Sequence, residues 1–377
     1  MIINNVIIVN HNKEFKGSIE FDNNRIKRVY HKQVKGVDGK GLYLIPSFFD
    51  THTHGGKNFD FNDLTHDVEP KRATAYINYL IKNGVGAVIA TTFTCSRNDL
   101  LRLSKSIKSF AEKYDIVKGW YIEGPYIAKE KKGAHNPQYI CPWDMDLLHK
   151  VATFFDKNFA KIVTVAPEAY SNLKHIKALS KTYNVAVGHS NAQAEIAAAA
   201  FKQGANRVTH LYNGMSGFSN REPGVVNAVF NNKEIFVELI TDNFTVSNTA
   251  ALDTYHILSP YQLMIISDTI RCAGEKNGNK YSLGEFEVIK DEKGAYLTDH
   301  KTIAGSTLSF LQQAQNFAKT TKCSMQDFVK FTSYNAATSL KMNKQYGVIA
   351  RNAKPNFLLV NKKFNIMKIY YKGLEVK

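Results

Sequence analysis

The chain has 377 residues, 44% hydrophobic and 22% charged, with 49 Lys+Arg against 33 Asp+Glu for a net charge of +16. That length exceeds one small domain and suits a barrel of about 250 residues with an accessory domain, and the composition is that of a globular protein with a sizeable buried core. No run approaches about 18 consecutive apolar residues, the N-terminus has no basic-then-apolar secretion signal, and the lysines are scattered from Lys13 to Lys377, so neither membrane nor nucleic acid is an expected partner.

In chain order, Ile2–Val9 is β-branched and apolar. Gly17–Phe21 and Arg25–Tyr30 follow around a turn at Asp22-Asn23-Asn24, and Gly41–Ile45 adds another strand. From Phe48 the texture changes. A strand ends near Thr51; Val85–Thr91, Ile116–Ile122, Ile162–Ala166, Val185–Gly188, Val208–His210, Phe236–Ile240 and Met264–Ser267 follow as short apolar runs. Between them lie amphipathic stretches at Val68–Asn83, Asn98–Lys113, Trp143–Phe155, Ser171–Lys181, Ala192–Gln203 and Val246–Leu258. Ser190 with Gln193, and Ser324 with Asp327, have capping-box spacing. Strand–helix alternation of this length means parallel βαβ units, and about eight of them fit, the number a closed barrel needs.

Turn signals at Asn277-Gly278-Asn279 and Lys293-Gly294 predict a hairpin inserted near residues 276–300. Helices return at Thr307–Lys319 and Met325–Leu340, and Asn356–Val360 and Met367–Tyr371 are β again. The expected organisation is a (β/α)8 barrel over residues 48–340, with a small β-sandwich domain built from 1–47 and 341–377. Cys95, Cys141, Cys272 and Cys323 form no C-x-x-C pair, which predicts free thiols and a cytoplasmic location.

The strongest local motif is Asp50-Thr51-His52-Thr53-His54-Gly55-Gly56. Side chains at i and i+2 of a strand share a face, so His52 and His54 make a chelating pair for a divalent metal, at the point where a barrel strand gives way to its loop. Read singly, such a pair is as consistent with two unrelated polar residues at a strand end. Glu123, His189, His210 and Asp268 each follow a further apolar run directly, and each alone could be a turn or surface residue. Together they put metal-type ligands at the C-terminal ends of five strands, which converge on one cavity in a closed barrel.

These residues carry a resemblance. Pro46-Ser47-Phe48-Phe49-Asp50-Thr51-His52-Thr53-His54-Gly55, Ile122-Glu123-Gly124-Pro125, Lys132-Gly133-Ala134-His135-Asn136-Pro137, Gly188-His189-Ser190-Asn191-Ala192, Thr209-His210-Leu211-Tyr212-Asn213 and Ile303-Ala304-Gly305-Ser306 resemble, in this order, the motifs of the N-acetylglucosamine-6-phosphate deacetylases of the amidohydrolase superfamily. The resemblance runs from about residue 44 to 340. It implies that Glu123, His189 and His210 hold a principal divalent metal and His52 and His54 a second, so one or two ions per chain, with zinc, iron and manganese all suited to such ligands. It implies Asp268 as general base and His135 as the group that polarises the substrate carbonyl. Ala134, Asn213, Gly214, Arg221, Thr245, Ile303, Ala304 and Gly305 fall where the family contacts its sugar phosphate. It further implies a homodimer, with Arg221 reaching across the subunit boundary.

The sequence departs from the family pattern at four places. Thr245 stands where the family has a histidine, Gly214 where alanine is common, and Ser47 where glycine is common. Arg271 is new near the active site, and either replaces the lost histidine's contact or points to solvent. The departures leave open another N-acetylhexosamine phosphate, such as the galacto isomer. A cyclic-amide hydrolase of the superfamily is a more distant alternative, and a catalytically inactive binding relative more distant still.

Overall fold

The computed structural model describes residues 1–66 and 68–376. Its centre is a parallel barrel sheet of β1 (Phe48–Thr53), β2 (Val85–Thr92), β3 (Val117–Ile122), β4 (Ala160–Val165), β5 (Asn184–Val187), β6 (Ala205–Val208), β7 (Phe236–Ile240) and β8 (Leu263–Ile266), hydrogen-bonded in chain order. Such strands are buried on both faces, which is why they read as continuous apolar runs; all eight residues of β2 are buried.

The circle between β8 and β1 is closed by a few specific bonds. The Asp268 amide donates to the His52 carbonyl at 2.9 Å, and the Ser267 amide and hydroxyl both donate to the Asp50 carboxylate. Phe49, Ile89, Tyr121, Ile162, Ala186 and Met264 fill the interior as one cluster, against which Ala336 and Leu340 also pack. The surrounding helices present apolar stripes to the sheet, as Leu100, Leu103, Ile107 and Phe110 do from Arg97–Lys113.

Both chain ends build one further sheet. Its strand order is Leu374–Glu375, Ile366–Tyr371, Phe357–Val360, Tyr43–Pro46, Ile2–Asn10, Lys13–Phe21, Ile26–Tyr30, with Val37–Asp38 alongside Ile2–Asn10. It encloses its own core of Ile8, Phe21, Leu44, Phe357 and Tyr370, the small β unit expected beside the barrel. Among the described residues no helix is long and apolar enough to cross a membrane.

Several local expectations are corrected. The insertion is larger than a hairpin: Lys280–Leu283, Phe286–Lys290, Ala295–Leu297 and Ile303–Gly305 form a four-stranded antiparallel sheet. Ser190 does not cap a helix. Its hydroxyl donates to Glu168 at 2.8 Å, and the helix Ala194–Lys202 starts after Gln193 with no side-chain cap. Ser324 does cap, accepting from the Asp327 amide. The helix expected over Ser171–Lys181 is a 3-10 segment, Ala169–His175, followed by one α-turn, Ile176–Leu179, because Tyr170 and Ser171 take φ of 48° and 58°. The strand expected to reach His210 ends at Val208, and the helix Val225–Phe230 was not anticipated. The last long helix is interrupted by a π segment at Lys330–Tyr334, where the Thr332 and Ser333 hydroxyls bond back to the carbonyls of Phe328 and Val329 and compete with the helical ladder.

Candidate metal centre and active site

Six side chains named from the sequence meet at the C-terminal mouth of the barrel. His52 and His54 come from the end of β1, Glu123 follows β3, His189 follows β5, His210 follows β6 and Asp268 follows β8. The His52 and His54 Nε2 atoms lie 3.4 Å apart, and those of His189 and His210 lie 3.1 Å apart. Glu123 stands between the pairs. Its Oε1 is 3.2 Å from His189 and 2.8 Å from His210, while its Oε2 is 3.0 Å from His54 and 3.4 Å from His52. One Asp268 oxygen lies 3.4 Å from the Nε2 of both His52 and His54. The donors fall into two buried sets, His52–His54–Asp268 and Glu123–His189–His210.

The outer hydrogen bonds decide whether these donors suit a cation. His189 Nδ1 lies 2.7 Å from the Lys131 carbonyl, which can only accept, so His189 carries a proton there and its Nε2 presents a lone pair. His52 Nδ1 lies 3.0 Å from Glu238, a carboxylate, and its Nε2 is likewise free to ligate. Lone pairs facing one another at such distances repel unless a positive charge lies between them, so the residues fit a divalent metal. A proton is the alternative occupant. Burial opposes the charged form of His52, but the Glu123 and Glu238 carboxylates outweigh it and raise its pKa well above the usual imidazole range. Burial likewise works against ionised Glu123, yet His52 and the hydrogen-bonding histidines hold it well below the usual carboxylate range.

His135 has the opposite character. Its Nδ1 accepts from the Thr94 amide at 3.2 Å and lies 2.7 Å from the Thr94 hydroxyl, which leaves the proton on Nε2, 3.7 Å from Glu123. Burial, aided by the nearby His189, pushes its pKa well below the usual value, so the ring is a neutral N–H donor facing the cluster. Gly124 permits this arrangement, because a Cβ there would lie 2.0 Å from the Thr94 hydroxyl oxygen.

The backbone is held in the left-handed region at His189, His210 and Asp268, with φ of 45°, 24° and 46°. Each such residue costs on the order of 1 kcal/mol, and retaining His and Asp there aims their side chains inward from the ends of short strands. Gly214 has φ of +58°, and a Cβ on it would sit 2.8 Å from His189 Nδ1; glycine thus lets this turn pack directly on a metal-type ligand.

The residues expected around the sugar are less uniformly gathered. Ala134 lines a cavity of about 260 Å³ together with His135 and Arg271. Ser306, next to Ala304 and Gly305, donates its amide to the Asp268 carbonyl at 2.9 Å, which brings that strand end beside Asp268, while Ile303 is exposed. The Asn213 amide closes a turn on the His210 carbonyl. The Thr245 hydroxyl donates to Asp242 at 2.8 Å. Arg221 is exposed on the loop before Val225–Phe230.

Arg271 does not point to solvent. It is buried, with its guanidinium paired to Asp63 and donating to the carbonyls of Ser282 and Asn58, so it ties the inserted sheet to the loop after β1. Glu238 and Arg207 were not anticipated either. Glu238 joins His52 to Arg207, whose Nη1 is 3.1 Å away, and this ion pair is fully buried. A glutamate inside the apolar run Phe236–Ile240 was the available signal.

The model of the amidohydrolase family matches residues 43–376. The chain belongs to the amidohydrolase family. It is therefore a metal-dependent hydrolase, in a family that works with divalent metals. The chain is 32% identical to an N-acetylglucosamine-6-phosphate deacetylase of Lysinibacillus sphaericus over 92% of its own length and 90% of that protein. It is 32% identical to an enzyme of the same description from Vibrio furnissii, over 88% and 82% respectively. Among solved structures, the N-acetylglucosamine-6-phosphate deacetylase of Thermotoga maritima superposes with a TM-score of 0.88 at 29% identity, covering 100% of this chain and 99% of that one. The amidohydrolase barrel and the small β unit are thus both shared with a solved relative.

Proposed function

We propose that this amidohydrolase removes the acetyl group of N-acetylglucosamine 6-phosphate, giving glucosamine 6-phosphate and acetate. The observation that carries the reading is the Glu123 carboxylate, with one oxygen toward His189 and His210 and the other toward His52 and His54. The shared description of the similar enzymes from Lysinibacillus sphaericus and Thermotoga maritima supports the substrate.

Glu123, His189 and His210 would hold a principal ion, and His52 and His54, with Asp268 beside them, a second. A bound divalent metal supplies Lewis acidity, polarising the amide carbonyl and making water acidic enough to lose a proton near neutral pH. Asp268 takes that proton and later delivers it to the departing amine. Neutral His135 donates its Nε2–H to the oxygen that gains charge at the acetyl carbon, where a preformed donor acts as an oxyanion hole does. Ala134, Thr245, Ile303, Ala304 and Gly305 border the sugar in this reading, and Asn213, Gly214 and Arg221 take the phosphate. The exposure of Arg221 supports a homodimer in which it serves the neighbouring site, and the four free thiols support a cytoplasmic location.

The galacto epimer retains one motive, Thr245; the second, Arg271, is committed to Asp63. The test is release of free amine from N-acetylglucosamine 6-phosphate, its galacto epimer and the unphosphorylated sugars, with divalent metal added. The fastest turnover is expected on the gluco 6-phosphate. No turnover of any phosphorylated substrate refutes the reading, and preference for the epimer replaces it with its rival.

A further inference from the structure

Eight lysines that are scattered in the sequence meet in space. A hollow of about 860 Å³ opens at the end of the barrel opposite the metal centre, where β3, β4 and β5 begin at Val117, Ala160 and Asn184. Eight lysines line it against two carboxylates, Glu112 and Asp156. Asp156, held by the backbone amides of Asn158 and Phe159, acts on Lys161, and two carboxylates leave a surplus of six positive charges among the lining side chains.

The positive charge comes from three sides. Lys108 and Lys118 stand on one wall, Lys157 and Lys181 on a second, and Lys341 and Lys344 on the segment that leaves the barrel for the small β unit. Of these six, Lys118 is the one with an ion-pair partner among the described residues, Asp115 at 2.5 Å. Burial holds the Lys118 ammonium below its usual pKa, and neighbouring Lys354 and Lys372 lower it further. The volume lies in the range of small-molecule sites, about 300–1,000 Å³, and a single phosphate would leave most of the walls unreached. Half-buried Phe155, stacked on Phe159 at 4.5 Å, and Tyr346 add aromatic surface to the same hollow.

We propose that this hollow is a second ligand site, separate from the metal centre, for a small anion bearing two or more phosphoryl groups. Such a ligand reaches opposing lysine walls at once and supplies the charge that Glu112 and Asp156 do not. Inorganic pyrophosphate and a nucleoside triphosphate share this chemistry; the aromatic surface favours the nucleotide. The proposal does not depend on which amide the metal centre hydrolyses.

The test is calorimetric titration of the metal-loaded enzyme with pyrophosphate and with ATP, near 0.15 M salt so that diffuse surface attraction is screened. The wild type is expected to bind one equivalent at the hollow. Lys341→Glu with Lys344→Glu should weaken binding at least about tenfold while leaving amide hydrolysis unchanged. Lys157→Glu with Lys181→Glu, on the exposed facing wall, repeats the test should the first pair fail to fold. Tighter binding of ATP than of pyrophosphate assigns the aromatic wall to the base; equal affinity assigns the site to the phosphoryl groups alone, and either result supports the proposal. Absence of binding overturns it, and so does binding that survives both lysine pairs, which would locate the anion at the metal centre.

Discussion

His52 Nδ1 rests 3.0 Å from the Glu238 carboxylate, whose other oxygen holds the buried guanidinium of Arg207 at 3.1 Å. A metal-ligating imidazole oriented by a carboxylate is more basic and has a fixed tautomer, and removing such a partner typically costs about 10–100-fold in metal affinity or activity. Glu238→Gln is therefore expected to lower metal content under limiting metal and to reduce turnover by one to two orders of magnitude. It also leaves Arg207 buried without its counter-charge, so a fall in stability of about 3 kcal/mol should accompany it. Metal analysis with denaturant unfolding separates the two effects; unchanged metal affinity with lowered stability would reduce Glu238 to a structural partner.

Arg271 and Asp63 form a second largely buried pair, on the rim rather than beneath the metal centre. A double-mutant cycle with Arg271→Met and Asp63→Asn should show a coupling of about 1–3 kcal/mol, since each single change strands the other charge. Arg271→Lys should not restore stability, because an ammonium cannot span Asp63 and the carbonyls of Ser282 and Asn58 together. Additive single effects would contradict the clamp.

Asp50 gives a pH dependence with a definite sign. Burial raises its pKa from 3.8 to about 7, despite the Ser267 hydrogen bonds. Between those values the folded chain holds a proton that the unfolded chain has released, so the Asp50 contribution to stability is full below pH 3.8 and is lost as pH rises toward about 7. Asp50→Asn should flatten that part of the stability profile of metal-free protein. A steeper profile in the variant would mean that the folded state favours the ionised carboxylate.

The positions of the candidate metal ligands were legible because barrel topology makes a local pattern global. A His, Glu or Asp directly after an apolar run needs no information about its neighbours to be assigned to the mouth, and five strands repeat that signal. Glu238 was hidden because a carboxylate in mid-strand has no local signature; its meaning comes from His52 and Arg207, which are distant in the chain. The pairing of Arg271 with Asp63 has no local signal for the same reason, since Asp63 lies on the far side of the closure between β8 and β1. Ser190 had the spacing of a helix cap, but the helix begins only at Ala194, and the Ser190 hydroxyl donates to Glu168 while accepting from the Ala192 amide. The lysine hollow is likewise a product of folding: Lys108, Lys181 and Lys341 belong to three separate segments and form no block in the sequence.

Proton transfer by Asp268, at a metal centre that Glu123, His189 and His210 would hold, underlies the proposed hydrolysis. Its most direct test is turnover and metal content measured together on Asp268→Asn and wild type with N-acetylglucosamine 6-phosphate. The variant is predicted to keep the principal metal and lose at least about 100-fold in turnover, the usual range for a general acid–base group. Turnover within a few-fold of wild type at unchanged metal content would contradict it.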